Sequence, residues 1–120
     1  AASLTVLVSY QGIRILLTGD LEGDGLQALL AQESPGTIDV LLSPHHGSLT
    51  ANTRELAEWA HPDYVIVSGG KPQTIDRLQH VYSAQARVYS TSTHGALTCS
   101  ISHDGKVSVT PYRTQRRLLR

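Results

Sequence analysis

Three short stretches of the chain hold side chains that could do chemistry. Thr18-Gly19-Asp20 follows one apolar run, and Ser43-Pro44-His45-His46-Gly47-Ser48 follows another. Asp20 and His45 are 25 residues apart, but a fold that ends both runs at one rim of a sheet brings carboxylate and imidazoles together. Those donor types suit zinc or manganese. A carboxylate can also bridge two ions, and two ions about 3.5–4 Å apart can activate a hydroxide for attack on phosphorus or carbon. Plainer readings stand beside this one. Gly-Asp after a strand makes a turn and a helix N-cap. The histidine pair can be two loop residues satisfied by hydrogen bonds, and Gly47-Ser48 can turn the chain and cap the next helix. In the third stretch, Ser68-Gly69-Gly70-Lys71, Ser68 and Lys71 could touch phosphate from a strand-end rim, or the stretch is only a Gly-rich turn.

The remaining candidates read as structural. His61 precedes Pro62 at a helix end, where a cationic side chain suits the macrodipole. His80 falls on a helix surface and His103 in a turn. Cys99, placed mid-strand, is most simply a small buried hydrophobe. No Ser–His–acid spacing makes a triad.

The elements that must position these residues follow from periodicity. Leu4 to Ser9 and Ile13 to Thr18 are β-rich runs around Tyr10-Gln11-Gly12, a spacing that suits a hairpin with Gly at the position of positive φ. A helical stretch opens at Asp20-Leu21-Glu22, with Leu26, Leu29 and Leu30 on one face, and closes at Pro35-Gly36. Ile38 to Leu42 reads as a strand buried on both faces. A second helix is expected over about Ala51 to Ala60, burying Leu56, Trp59 and Ala60 and ending before Pro62. Tyr64 to Val67 is another buried strand, and a third helix spans about Gln73 to Ser83. Arg87 to Tyr89, Ala96 to Ile101 and Val107 to Thr110 are the last strands, the final pair joined at Asp104-Gly105. This alternation predicts an α/β fold with right-handed crossovers and a mostly parallel centre, whose function sits beyond the carboxyl ends of the strands.

Composition limits the classes available. The 120 residues fit one domain, with 40% hydrophobic and 17% charged residues, so the chain is not of disordered type. The single cysteine excludes an internal disulfide framework and any multi-cysteine zinc site. With Phe and Met absent, the core rests on Leu, Val, Ile and Ala. No apolar run is long enough to span a membrane, and no signal peptide opens the chain. Net charge is zero, yet Arg113, Arg116, Arg117 and Arg120 crowd the C-terminus. Residues 1–112 therefore carry six basic and ten acidic groups, a balance of −4 and a poor match for a bare phosphate backbone. Residues 113–120 form a basic tail, either solvated or a phosphate-binding arm.

Taken in order, the motifs carry a resemblance. Leu16-Leu17-Thr18-Gly19-Asp20 followed by Leu41-Leu42-Ser43-Pro44-His45-His46-Gly47-Ser48 looks like the metallo-β-lactamase superfamily. More closely, it resembles the hydrolase-like domain of the ComEC family of bacterial DNA-uptake channel proteins. Ser3 to Leu7, Asp39-Val40-Leu41, Pro62 to Ser68, Arg87-Val88-Tyr89 with Thr91, and Gly95-Ala96-Leu97 agree with it, so the likeness covers roughly residues 3 to 110. The resemblance implies the C-terminal half of an αβ/βα sandwich, a mixed sheet with helices packed on it, that would hydrolyse DNA phosphodiesters with zinc or manganese. It implies Asp20 as bridging ligand and catalytic residue, His45 as metal ligand, and His46 with Ser48 orienting phosphate. Ser68, Lys71 and His94 would line substrate space. DNA, the remainder of a membrane channel protein and a second copy of the chain are the implied partners. The implied setting is a soluble appendage of a bacterial inner-membrane protein.

Departures from the pattern set the alternatives. No histidine precedes His45, so the superfamily's His-x-His-x-Asp-His motif has no counterpart. Ser68-Gly69-Gly70-Lys71-Pro72 lacks the family's Gly-His-Pro histidine, and Thr91-Ser92 stands where Thr-Asp is usual. Either the chain is half of a larger domain or its branch has lost its metals. On the first reading the isolated chain is an incomplete hydrolase; on the second it is a metal-free binding or structural module. Another hydrolase of the same fold is the third possibility.

Overall fold

Gln11 and Gly12 turn the chain between its first two strands. Both have positive φ (51° and 80°), as a two-residue type I′ hairpin requires. The strands are β1, Val6–Tyr10, and β2, Ile13–Leu17, with Tyr10 paired to Ile13 and Val6 to Leu17. The computed structural model describes residues 4–82 and 86–112. The expected basic tail at 113–120 and the expected helix end at Ser83 lie outside them.

From β2 the chain alternates. Helix α1 (Gly23–Leu30) leads to β3 (Val40–Leu42), a 3-10 turn over Pro44–Gly47, and α2 (Arg54–Ala60). Strand β4 (Tyr64–Val67), α3 (Pro72–Val81), β5 (Arg87–Ser90) and the short α4 (Thr91–His94) follow. The five strands form one sheet in the order β1-β2-β3-β4-β5, parallel from β2 to β5 with β1 antiparallel at the edge. Strands β6 (Leu97–Ile101) and β7 (Val107–Pro111) make a separate antiparallel pair. The molecule is a mixed-sheet α/β protein, as the alternation predicts.

The register separates the two faces of the sheet. Leu16, Leu41, Val65 and Val88 are aligned in neighbouring strands, and the first three are buried with Leu21, Leu26, Leu56, Leu78 and Tyr82 in one apolar cluster that Val88 packs against. This face is filled by α1, α2 and α3. The opposite face is more open. Ile15, Leu17, Val40, Leu42 and Ile66 line a cleft of about 190 Å³ whose other wall is Leu97, Cys99 and Val109 of the hairpin. Along the edge, Leu4, Val6, Leu7, Val8 and Tyr10 are exposed, and so is Leu17 at the end of β2.

Several expectations shift. Helix α2 begins at Arg54, not Ala51, because the Thr53 side chain accepts from the Leu56 N–H (3.2 Å) and caps it there. Helix α1 begins at Gly23 rather than Asp20, with Glu22 extended in front of it. Trp59 is half-buried, its indole N–H donating to the Gln32 carbonyl at 2.9 Å, which keeps its polar edge at the surface. Cys99 is exposed, contrary to the buried reading, because β6 and β7 stand outside the main sheet and the helices cover only the opposite face.

The turn of the last hairpin touches the turn of the first. A β-carbon on Gly105 (φ +79°) would stand 2.7 Å from the Gln11 carbonyl oxygen, whereas one on Gly12 (φ +80°) meets nothing within 4 Å. The two substitutions share the backbone penalty and differ in the clash. Gly12→Ala should cost about 1 kcal/mol and Gly105→Ala about 2–3 kcal/mol, compared by denaturant unfolding. Equal costs would show that the two turns do not press together.

Candidate functional site

Because β2 to β5 run parallel, their carboxyl ends share one rim. Thr18-Gly19-Asp20 leaves β2, Ser43 to Ser48 leaves β3, Ser68 to Lys71 leaves β4, and α4 leaves β5. The expected rim is therefore present. The His45 N–H donates to the Gly19 carbonyl at 2.9 Å, joining the first two loops directly.

The histidine loop has an uncommon backbone. His45 (φ 50°, ψ 52°) and His46 (φ 51°, ψ 33°) are both left-handed, and Gly47 (φ +84°) continues the run. Non-glycine residues in this region carry strain of about 1 kcal/mol or more each, which the surroundings must over-determine. Gly47 sits where no side chain fits, since a β-carbon would stand 2.8 Å from Val67 Cγ1. The Ser48 N–H donates to the His45 carbonyl at 2.9 Å. Beneath the loop lies Asn52, 1% exposed. Its Nδ2 donates to the carbonyls of Pro44 (3.0 Å) and Ser48 (2.7 Å), and its Oδ1 accepts from Ser43 Oγ (2.6 Å) and Tyr82 Oη (2.5 Å). The loop is thus clamped on both sides of the histidines.

The side chains sort into two pairs. His46 Nε2 lies 3.6 Å from Asp20 Oδ1, and its Nδ1 lies 3.3 Å from the Ser68 carbonyl. His45 Nδ1 lies 2.8 Å from Glu22 Oε2. The two imidazoles stand 6.4 Å apart, centroid to centroid. Ser48 Oγ is engaged with Thr50 Oγ1 at 2.9 Å. Lys71 is exposed at the start of α3. His94 turns back on its own strand: its Nδ1 accepts from the Ser90 N–H at 3.1 Å and its ring meets Tyr89 edge-on at 5.1 Å. The rim therefore gathers Asp20, His45, His46 and the Ser68 carbonyl.

A belt of hydroxyls ties the other loops together. Ser90 Oγ donates to the Gly69 carbonyl (2.7 Å), Ser92 Oγ to the Gly70 carbonyl (2.6 Å), and the Gly69 N–H to Thr91 Oγ1 (2.8 Å). This holds the loop that presents the Ser68 carbonyl to His46.

Asp20, His45 and His46 are donor types that zinc and manganese accept. Among the described residues, however, no group of three or more His, Cys, Asp or Glu side chains is placed to hold one ion. The set does not fit a complete metal centre.

Comparison with known proteins places this geometry in context. No family model matches the chain. It is similar to Recombination protein 2 of Haemophilus influenzae, 38% identical over 69 residues, which is 58% of this chain and 8% of that protein. It is also similar to ComE operon protein 3 of Bacillus subtilis, 30% identical over 101 residues, 80% of this chain and 13% of that protein. The chain spans about a tenth of these relatives. Among the described residues no helix is long and apolar enough to cross a membrane.

Glu22, Asn52 and Tyr82 escaped the sequence reading. Glu22 had a faint signal, two residues past Asp20. Asn52 and Tyr82 had none, because a 30-residue separation hides their contact.

The clamp generates two expectations. Asn52→Ala removes the partner of the Ser43 and Tyr82 hydroxyls and of the Pro44 carbonyl, while the Ser48 carbonyl keeps the Ala51 and residue-52 N–H groups, and should cost about 2–4 kcal/mol in denaturant unfolding. Burial also holds the Tyr82 hydroxyl well above the ordinary phenol value. Its stabilising effect is intact below the unfolded-state value of about 10, then falls as the unfolded phenol ionises first, by up to about 1.4 kcal/mol per pH unit. Unfolding free energy should decline above about pH 10, and Tyr82→Phe should flatten that limb. An unchanged limb in the variant would assign it to other groups.

Proposed function

We propose that the chain is part of a competence protein that takes up DNA, and that its strand-end rim handles DNA phosphodiesters within a metallo-β-lactamase-like hydrolase domain. One observation carries the reading: the segment similar to ComE operon protein 3 covers 80% of the chain. The meeting of Asp20, His45 and His46 on one rim is in keeping with it. The fold supports it too, with a mixed sheet whose helices cover one face and whose other face is partly open.

In this reading Asp20 and the histidines supply part of a donor set for a divalent ion, zinc or manganese, and the remaining donors come from elsewhere in a longer polypeptide. His46 and Ser48 orient phosphate, while Ser68, Lys71 and His94 flank the path of the nucleic acid. The domain is carried outside the bilayer by an inner-membrane channel protein. Exposed Leu4, Val6, Leu7, Val8 and Leu17 offer an apolar surface to the rest of that polypeptide.

Because the donor set is partial, the purified 120-residue chain should retain less than one zinc or manganese ion per molecule after equilibration and desalting, measured by elemental analysis. EDTA-sensitive DNA cleavage by this chain, abolished by Asp20→Ala, would overturn the claim of incompleteness. In competent cells carrying the whole protein, Asp20→Ala with the fold preserved should lower transformation by external DNA at least tenfold. Full transformability would overturn the proposed function.

A further inference from the structure

Both histidines of the loop are held through the same ring atom. For His46 the partner of Nδ1 is the Ser68 carbonyl at 3.3 Å, and for His45 it is Glu22 Oε2 at 2.8 Å. A carbonyl and a carboxylate only accept, so in each ring Nδ1 carries a proton; the His46 Nε2 then faces Asp20 Oδ1 at 3.6 Å, whereas the His45 Nε2 has no partner among the described residues.

The Glu22 contact is not a by-product of helix capping. Glu22 is the N-cap of α1, extended at φ −164° and ψ 175°, and its carboxylate makes no hydrogen bond to the helix's own N–H groups. An N-cap acid ordinarily turns inward to those groups. This one reaches 23 residues along the sequence to His45. The backbone at both ends is fixed independently, since the Leu26 N–H donates to the Glu22 carbonyl (3.3 Å) and the His45 N–H to the Gly19 carbonyl (2.9 Å). With both main chains anchored, the side-chain contact has one remaining variable to set, the ring of His45. Stability is not its purpose, because the two side chains are 41% and 46% exposed and a pair so wetted contributes little.

We propose that Glu22 is the positioning residue of His45, holding its Nδ1–H so that Nε2 is presented to the rim shared with Asp20 and His46. The consequence for phosphodiester handling rests on the function proposed above; the tautomer itself does not.

The test is nitrogen NMR of the 120-residue chain labelled with ¹⁵N-histidine, recorded at an alkaline pH at which the ring-nitrogen shifts themselves show both loop histidines neutral. In the unmodified chain His45 is expected as the Nδ1–H form. Glu22→Ala should reduce that form at least twofold, in favour of the Nε2–H form that free imidazole prefers in water. Glu22→Gln should retain it, because the amide oxygen still accepts. His46, held by a backbone carbonyl, should be unchanged in both variants, and backbone amide signals of Leu16, Leu41 and Val65 report that the core is intact. An Nε2–H form of His45 in the unmodified chain would overturn the proposal, as would a Glu22→Ala spectrum unchanged at His45 or a Glu22→Gln spectrum like that of Ala. Normal transformability of Asp20→Ala cells beside the expected spectra would sink the proposed function and leave this inference standing.

Discussion

The amide of Asn52 is the interaction on which the rest of the rim depends. All four of its hydrogen-bonding positions are filled, two donors on the carbonyls of Pro44 and Ser48 and two acceptor positions by Ser43 and Tyr82. Those partners belong to the end of β3, both flanks of the histidine loop, and the end of α3. One side chain therefore fixes the distance between the sheet, the loop and the helix layer. An amide is suited to this because it donates and accepts along two directions in one rigid plane, which neither a carboxylate nor a hydroxyl does. Fully satisfied and dry, such a network is stiff enough to hold two consecutive left-handed histidines.

The same logic extends along the rim. Two residues beyond the apolar Leu16, Leu41 and Val88 come Thr18, Ser43 and Ser90, all buried hydroxyls. Each reaches across to a neighbour: Thr18 to the Leu42 carbonyl (2.5 Å), Ser43 to Asn52, and Ser90 to the Gly69 carbonyl. The helix-facing layer thus changes from hydrocarbon to hydrogen-bonded hydroxyls where the strands give way to loops. Among the described residues no buried side-chain polar atom lacks a partner, so this polar cap does not incur the penalty of unsatisfied burial. The loops inherit the sheet's register instead of wandering from it.

Most of the fold was legible because its signals are local. Apolar runs bounded by Gln11-Gly12, Pro35-Gly36 and Asp104-Gly105 located the strands, and alternation with helices dictated the parallel centre. Helix starts were less legible. The first turn of α2 was decided by a Thr53 hydroxyl rather than by hydrophobic spacing, and α1 was delayed past a Glu22 whose carboxylate is used elsewhere. The rim was readable in outline, since Asp20 and the His45-His46 pair stand at strand ends. Its inner organisation was not. Which histidine meets Asp20, and which meets Glu22, depends on left-handed backbone angles at non-glycine residues, and sequence propensity argues against those. Cys99 was misjudged for a related reason: alternation along β6 says which side a residue is on, not what covers it.

The unequal faces of the sheet leave the rim closed on one side and open on the other. On one side the rim is backed by Leu21, Leu56, Leu78, Tyr82 and the Asn52 network, all buried, and no further group can enter there without displacing them. On the other side Leu17, Leu42 and Ile66 face a cleft closed only by the hairpin. On the proposed reading, groups that complete the rim must therefore arrive over the open face. The strained histidine loop is consistent with that direction. It is over-determined from beneath by Asn52 and Gly47, yet His46 remains exposed on its outer side. A loop built only for packing would have no need of two left-handed histidines, whereas on the proposed reading a loop that presents the His45 Nε2 to the rim needs that support in advance.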